Sequence, residues 1–303
     1  MEDVLIFVWG KAHEFHEEVT RVIGLQQASL DAISQALDLA HASAFHTGLG
    51  AQLYPTSSTP VGAYLNESSV ASFAQAAYNK ANIAVVADGA TQEGLAKWIE
   101  PLFKSVPASS SSQLALNTTP SKYFGGEQRS SRVGQNAYVI AFPGASLADA
   151  KPETSVLVAL LGGESSISWT TGFTLLSKAV AAAPHARAHA SNLAYSDAGL
   201  LTLQISGPAA SVKTATEESV KALKSIASGS VTKEDLTKAI AKAKFDLLSS
   251  RDVSGTGLVA AGTNLVQGGK ALQAAEAIKA LESVTAEKLK AVSNFPSERL
   301  GIG

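Results

Sequence analysis

The residues best equipped for chemistry in this 303-residue chain gather near its start, where His13 and His16 stand beside Glu14, Glu17 and Glu18. Imidazole and carboxylate are common ligands for zinc and its neighbours. A catalytic zinc helix carries two histidines one turn apart with a glutamate base, as HExxH or HxxEH, so that both rings and the carboxylate meet one ion. Here His16 follows His13 by three positions, and Glu17 occupies the place of the second histidine. A solvated first helical turn, with acids near the positive end of the dipole, explains the cluster without a metal.

His185 and His189 do have the one-turn spacing, but Ala186 and Ala188 fill both positions at which either motif would place its glutamate. The stretch after Pro184 reads as a mostly alanine helix with the two rings on a partly exposed face. His41 and His46 flank Phe45 at a helix end, a setting for capping or packing. Gly255-Thr256-Gly257-Leu258-Val259-Ala260 spells G-x-G-x-x-A. It follows the charged helical stretch 242–251, whereas a dinucleotide site needs a preceding strand to present the turn to a pyrophosphate. It reads as the start of a helix. Gly162-Gly163-Glu164-Ser165-Ser166 has the flexibility to lie against an extended peptide, but its position after an apolar run marks a helix end first. The triplets beginning at Asn66 and Asn117 are glycosylation sequons in form only, with no secretory signal before them. No catalytic, cofactor-binding or metal-binding residue is assigned, and no cofactor is expected.

Composition narrows the field further. The formal charge is −2 and 46% of residues are hydrophobic, with 6% aromatic. A thin spread of Lys and Arg lacks the basic footprint of a nucleic-acid binder. The absence of cysteine removes disulfides and thiolate sites. The longest apolar runs, 4–9 and 156–161, fall far short of the roughly 20 residues that span a bilayer.

Periodicity predicts α+β architecture. Before a Ser- and Pro-rich linker over 105–122 come a helical region near 14–45, a helix near 68–80 and a strand over 82–87. After it come a strand over 135–142, helices near 152–161 and 172–182, and an alternating strand over 201–205. A unit of strand, glycine turn and amphipathic helix occurs twice. Ile83 to Ala87 leads through Gly89 to Leu95, Trp98, Ile99, Leu102 and Phe103, and Leu201 to Ile205 leads through Gly207 to Val212, Val220, Leu223 and Ile226. Thr232 and Asp235 form a capping-box pattern before a further helix, helices follow near 258–266 and 271–282, and Thr285 caps a last one. Arg299-Leu300 hints at a strand. Two related domains are expected, each a mostly antiparallel sheet with helices packed on it: a partial first domain over 1–104, the linker, and a second domain over 123–303.

Several segments together resemble the mitochondrial processing peptidase family. They are Leu39 to Phe45 with Leu49-Gly50, the unit from Tyr64 to Gly89, Tyr123-Phe124-Gly125-Gly126-Glu127-Gln128-Arg129, the glycine-rich turn after Leu160, and Tyr195-Ser196-Asp197-Ala198-Gly199. The resemblance covers nearly everything after residue 12, and within the family it is greatest to fungal core subunits of respiratory complex III. It implies a non-catalytic scaffold on the matrix face of the mitochondrial inner membrane. Such a subunit pairs with core protein 1 and other complex III subunits in a dimeric complex, without nucleic acid or a transmembrane segment. Active members carry HxxEH in the first domain and a further helix glutamate. No HxxEH occurs in this chain, and Gln26-Gln27 stands near where that glutamate would fall. The resemblance also implies that the first domain is truncated, its opening strands and leader missing, and the final strand cut short. The rival readings are a zinc peptidase or its presequence-binding partner subunit, and a free peptide-binding module that uses the turn at Gly162.

Overall fold

Leu200, Leu201, Thr202, Leu203 and Ile205 are each at most 1% exposed, so the alternating run seen in the sequence is a strand covered on both faces. The computed structural model describes residues 18–19, 21–26, 30–54, 66–104, 106–109, 119–131, 134–163, 172–252, 254–268 and 274–293. Among them, β1 (Asn136–Pro143), β2 (Arg187–Ala194) and β3 (Gly199–Gly207) form an antiparallel sheet in the order β1-β3-β2. Ile140 and Ala190 both stand opposite Leu203, and Phe142 stands opposite Leu201. Because side chains alternate across a strand, these residues share one face. They meet Val156, Leu157 and Leu161 of α4 (Pro152–Leu161) in the main core.

Helices that follow β1 in the chain cover that face. Preceding α4 in the chain are α1 (Ala32–Phe45), α2 (Glu67–Ala77) and α3 (Gln92–Phe103). Following it are α5 (Leu175–Ala181), α6 (Ala209–Ser228), α7 (Lys233–Asp252), α8 (Ser254–Gly268), α9 (Ala274–Glu282) and α10 (Ala286–Val292). The stripe predicted for α6 is the one it buries: Val212, Val220, Leu223 and Ile226 all face the core. A left-handed Gly229 ends that helix, where glycine has no Cβ to clash. Half of the expected capping box forms: Thr232 Oγ1 accepts the Asp235 amide at 3.1 Å and so caps the helix. The reciprocal half does not, because the Asp235 side chain, one methylene shorter than a glutamate, accepts the Thr232 hydroxyl at 2.7 Å and not the Thr232 backbone N–H. Thr285 caps α10 as expected.

Three expectations change. The helical region 14–45 is interrupted, because Asp31 is extended and accepts the Ser34 amide, which starts α1 afresh at Ala32. Residues 83–87 have no strand assignment. Ile83 is extended after a short 3₁₀ turn at Lys80–Asn82, and no described neighbour supplies the ladder hydrogen bonds that define a strand. The strand, turn and helix unit is therefore complete in β3, Gly207 and α6, while its earlier counterpart shows only Gly89 at positive φ and α3. The third change concerns the histidine pair. Residues 187–194 are not helix but β2, with Ala188 and Ala190 buried on alternate positions against β3. The proposed strand at Arg299-Leu300 lies outside the described residues.

The opposite face of the sheet carries a different cover. There α1 lies across β1 and β3, and Ala44 and Phe45 meet Leu200, with Leu49, Tyr123, Ala141, Leu193 and Ala198 around them. Beside this small apolar patch, Ser191 and Thr202 pair across the strands at 2.9 Å, and Gln204 donates to Ser191 Oγ at 2.9 Å. Thr202 is fully buried, and these bonds offset the desolvation of its hydroxyl.

Candidate functional site

Two places collect the polar groups singled out in the sequence. The first is the turn between β2 and β3. Tyr195 N–H bonds to Ala198 O at 2.8 Å, which closes the turn, and Leu147 N–H bonds to Tyr195 O at 2.8 Å. Its phenol reaches α1, with Tyr195 Oη 2.7 Å from His41 Nε2 and the rings edge-on at 5.8 Å. His41 Nδ1 lies 2.7 Å from Leu37 O, an atom that only accepts, so the ring proton sits on Nδ1 and Nε2 accepts the tyrosine hydroxyl. Burial pushes the Tyr195 phenol up, which keeps it protonated as a donor. Asp197 Oδ2 accepts the Ser121 amide at 2.6 Å, and that bond holds its carboxyl below the usual range. On α1, Asp38 Oδ1 accepts the Leu53 amide at 2.9 Å. All these groups are engaged in holding chain segments together, and His46 sits at the α1 C-cap with φ 59. The reading of His41 and His46 as packing and capping residues matches this geometry.

The second place is the outer edge of β2. Gly162 ends α4 with φ 67, and an added Cβ would stand 2.3 Å from Thr174 Cγ2. Glycine is required there by both conformation and space. Gly162 O accepts the Ala190 amide at 2.8 Å, and Gly163 pairs with His189 as an antiparallel bridge. The helix-end role read for this glycine pair is what the geometry displays; Glu164, Ser165 and Ser166 lie outside the described residues.

His185 and His189 do not face a common point. His185 occupies a turn at φ 62, while His189 projects from β2. Helical spacing predicts convergence only on a helix, and pairing with β3 removes that condition. His189 remains exposed as a residue, yet neighbours crowd its ring. Desolvation first, then the Lys242 charge, lower its pKa from 6.5. The sign follows: above pH 7 the ring is neutral folded or unfolded, whereas below about 6.5 the unfolded ring takes a proton that the folded ring resists. Stability contributed by this site therefore declines as pH falls from 6.5 through the lowered folded value. Urea midpoints at pH 7.5 and 5.5 test this: wild type loses more than His189→Gln, and equal losses would refute it.

Among the described residues no group of three or more His, Cys, Asp or Glu could hold a metal ion. His13, Glu14, His16 and Glu17 lie outside them. Gly255 to Ala260 fall in α8, which follows α7 and not a strand, so the dinucleotide geometry is missing there. Among the described residues the arrangement offers backbone clasps and satisfied side-chain pairs.

Residues 64–243 match the family described as peptidase M16 inactive domain, a stretch covering more than half of the chain. The chain belongs to this family. As an M16 protein it is 65% identical over 281 residues to "Cytochrome b-c1 complex subunit 2, mitochondrial" of Neurospora crassa, across 93% of this chain and 62% of the relative. The protein of the same name from Cryptococcus neoformans is 38% identical, across 80% of this chain and 56% of that one. The chain thus spans about 62% or less of the length of these curated relatives. Among solved structures, a chain of Complex III2 from Candida albicans superposes with a TM-score of 0.71 at 18% identity, covering 90% of this chain and 66% of its own. That likeness establishes the fold. The M16 description as inactive accords with a sequence that contains no HxxEH.

Proposed function

We propose that this M16 chain is a non-catalytic structural core subunit 2 of mitochondrial respiratory complex III, which supports assembly and stability of that complex from the matrix side of the inner membrane. The observation that carries the reading is the 65% identity, over 93% of the chain, to the Neurospora crassa subunit 2. Three further relatives, at 33% to 38% identity, bear the same name. Its activity is the interface itself, made with core protein 1 and other subunits of a dimeric complex. In the same reading residues 1–104 form a partial first peptidase-like domain, 105–122 a linker and 123–303 a second domain.

Surface chemistry supports a role in assembly. Trp98 is 80% exposed and Leu102 of the same helix 56%, while Phe245 on α7 and Val259 on α8 are 69% and 70% exposed. Exposed large apolar side chains at this density suit a protein that buries surface against partners. No helix among the described residues is long and apolar enough to cross a membrane.

Native-gel fractionation of mitochondria, with a tag on the chain, tests the assignment. Co-migration with complex III, and loss of that complex when the gene is silenced, is the expected result. Migration apart from it refutes the reading, as does stoichiometric zinc with cleavage of a leader peptide by the purified protein.

A further inference from the structure

One four-residue turn holds two stretches of chain that are far apart in sequence. Tyr195 binds His41 of α1, and Asp197 binds the Ser121 amide. Those two stretches also bind each other: Phe124 N–H bonds to Ala44 O at 2.7 Å, and Phe45 meets Tyr123 edge-on with ring centroids 6.2 Å apart. Tyr123 Oη in turn donates to Ala141 O of β1 at 3.1 Å. Asp38 draws Leu53 back onto α1, so residues 46–54 travel with the helix. Among the described residues, Ala44 and Phe45 of this layer bury Leu200, with Ala141, Leu193 and Ala198 around it, and this small apolar patch stands apart from the main core on the other face of the sheet.

We propose that the Tyr195–Ala198 turn is a clasp: it fastens residues 30–54 and 119–126 over the sheet as a single cooperative strap, and its release uncovers the apolar face under Phe45. The closed loop of contacts, from turn to α1, from α1 to 123–124 and from 121 back to the turn, couples the two stretches, since loosening one removes a support of the other. The main core makes none of these contacts, so the strap opens at a free energy below that of global unfolding. This device stands on the geometry alone and is independent of the assignment to complex III.

Hydrogen exchange of the full chain at neutral pH, read peptide by peptide, tests it with Tyr195→Phe, Asp197→Ala and the double variant. Tyr195→Phe removes one oxygen from the α1 contact, and Asp197→Ala removes the acceptor of the Ser121 amide from an exposed position. Each single variant is expected to raise exchange in both 36–50 and 121–126 by about five- to tenfold, the size of one lost hydrogen bond. Exchange in α4 and α6 stays unchanged, and binding of an apolar dye rises in step. The double variant falls short of the product of the singles. The proposal fails if Tyr195→Phe loosens α1 only while Asp197→Ala loosens 121–126 only. It also fails if either variant speeds α4 and α6 together with the strap, which would mean global unfolding. Should Tyr195→Phe not fold, the Asp197→Ala pattern over 36–50 decides alone.

Discussion

Gly199→Ala is expected to lower stability by about 3 kcal/mol or more. A Cβ on Gly199 would stand 2.2 Å from Ala145 O and 2.5 Å from Ala145 C, inside any real contact distance, and both partners are backbone. The crowding has a cause in the topology. The chain leaving β1 crosses the start of β3 at two glycines, where Gly144 N–H bonds to Gly199 O at 2.8 Å. Asn192 locks the crossing by bonding both the amide and the carbonyl of Ala145. Neither strand end can retreat without breaking those bonds or the adjoining ladder, so relief requires backbone movement. Guanidinium denaturation of the two proteins measures the difference. Gly255→Ala serves as the control, because nothing lies within 4 Å of its added methyl, and in a helix it should be neutral or stabilising by up to about 1 kcal/mol. Equal stability of Gly199→Ala and wild type would show that the crossing is looser than described.

Leu203→Ala is the second large effect, with an expected loss of about 3 to 4 kcal/mol. Leu203 is fully buried at the middle of the central strand, between Ile140 on β1 and Ala190 on β2. Its neighbours on both sides are held in register by ladder bonds, so the sheet cannot close over the space the side chain leaves. The cost therefore includes the cavity as well as the lost transfer energy. Phe245→Ala removes a larger side chain from an exposed position on α7 and should change stability by no more than about 0.5 kcal/mol. If the two substitutions cost the same, burial is not what sets the stability of this domain.

The two glycines and the leucine differ in how far they could be foreseen. Leu203 stands in an alternating run that reads as a strand wherever it occurs, and the helix after it shows its buried stripe by spacing alone. Periodicity is a local property, and it survives in α4, α6, α7 and β3 because local preference and tertiary packing agree there. β2 was hidden for the opposite reason. Arg187 to Ala194 is rich in alanine, the best helix former, yet β3 offers it a ladder and a core face that accepts only small side chains at 188 and 190. The signal that could have revealed it is the two-residue alternation of alanine with polar residues from 187 to 191. At 83–87 the disagreement runs the other way, since a β-prone sequence lacks a partner among the described residues and a lone strand cannot satisfy its own backbone.

By itself, the sequence determined the class of the protein and the chemistry it lacks: α+β elements, caps at Thr232 and Thr285, no cysteine and no HxxEH. These depend on residue identity and on spacing within one element, which the chain carries locally. Only the tertiary structure decided that His41 pairs with Tyr195, that His189 belongs to a strand, and that Gly144 and Gly199 must be glycine. Each of those facts is set by contact between segments from about 11 to more than 150 residues apart, as the cross-strand and helix-to-turn bonds show. No local pattern encodes such a meeting, because it exists only once β1, β2 and β3 have chosen their register.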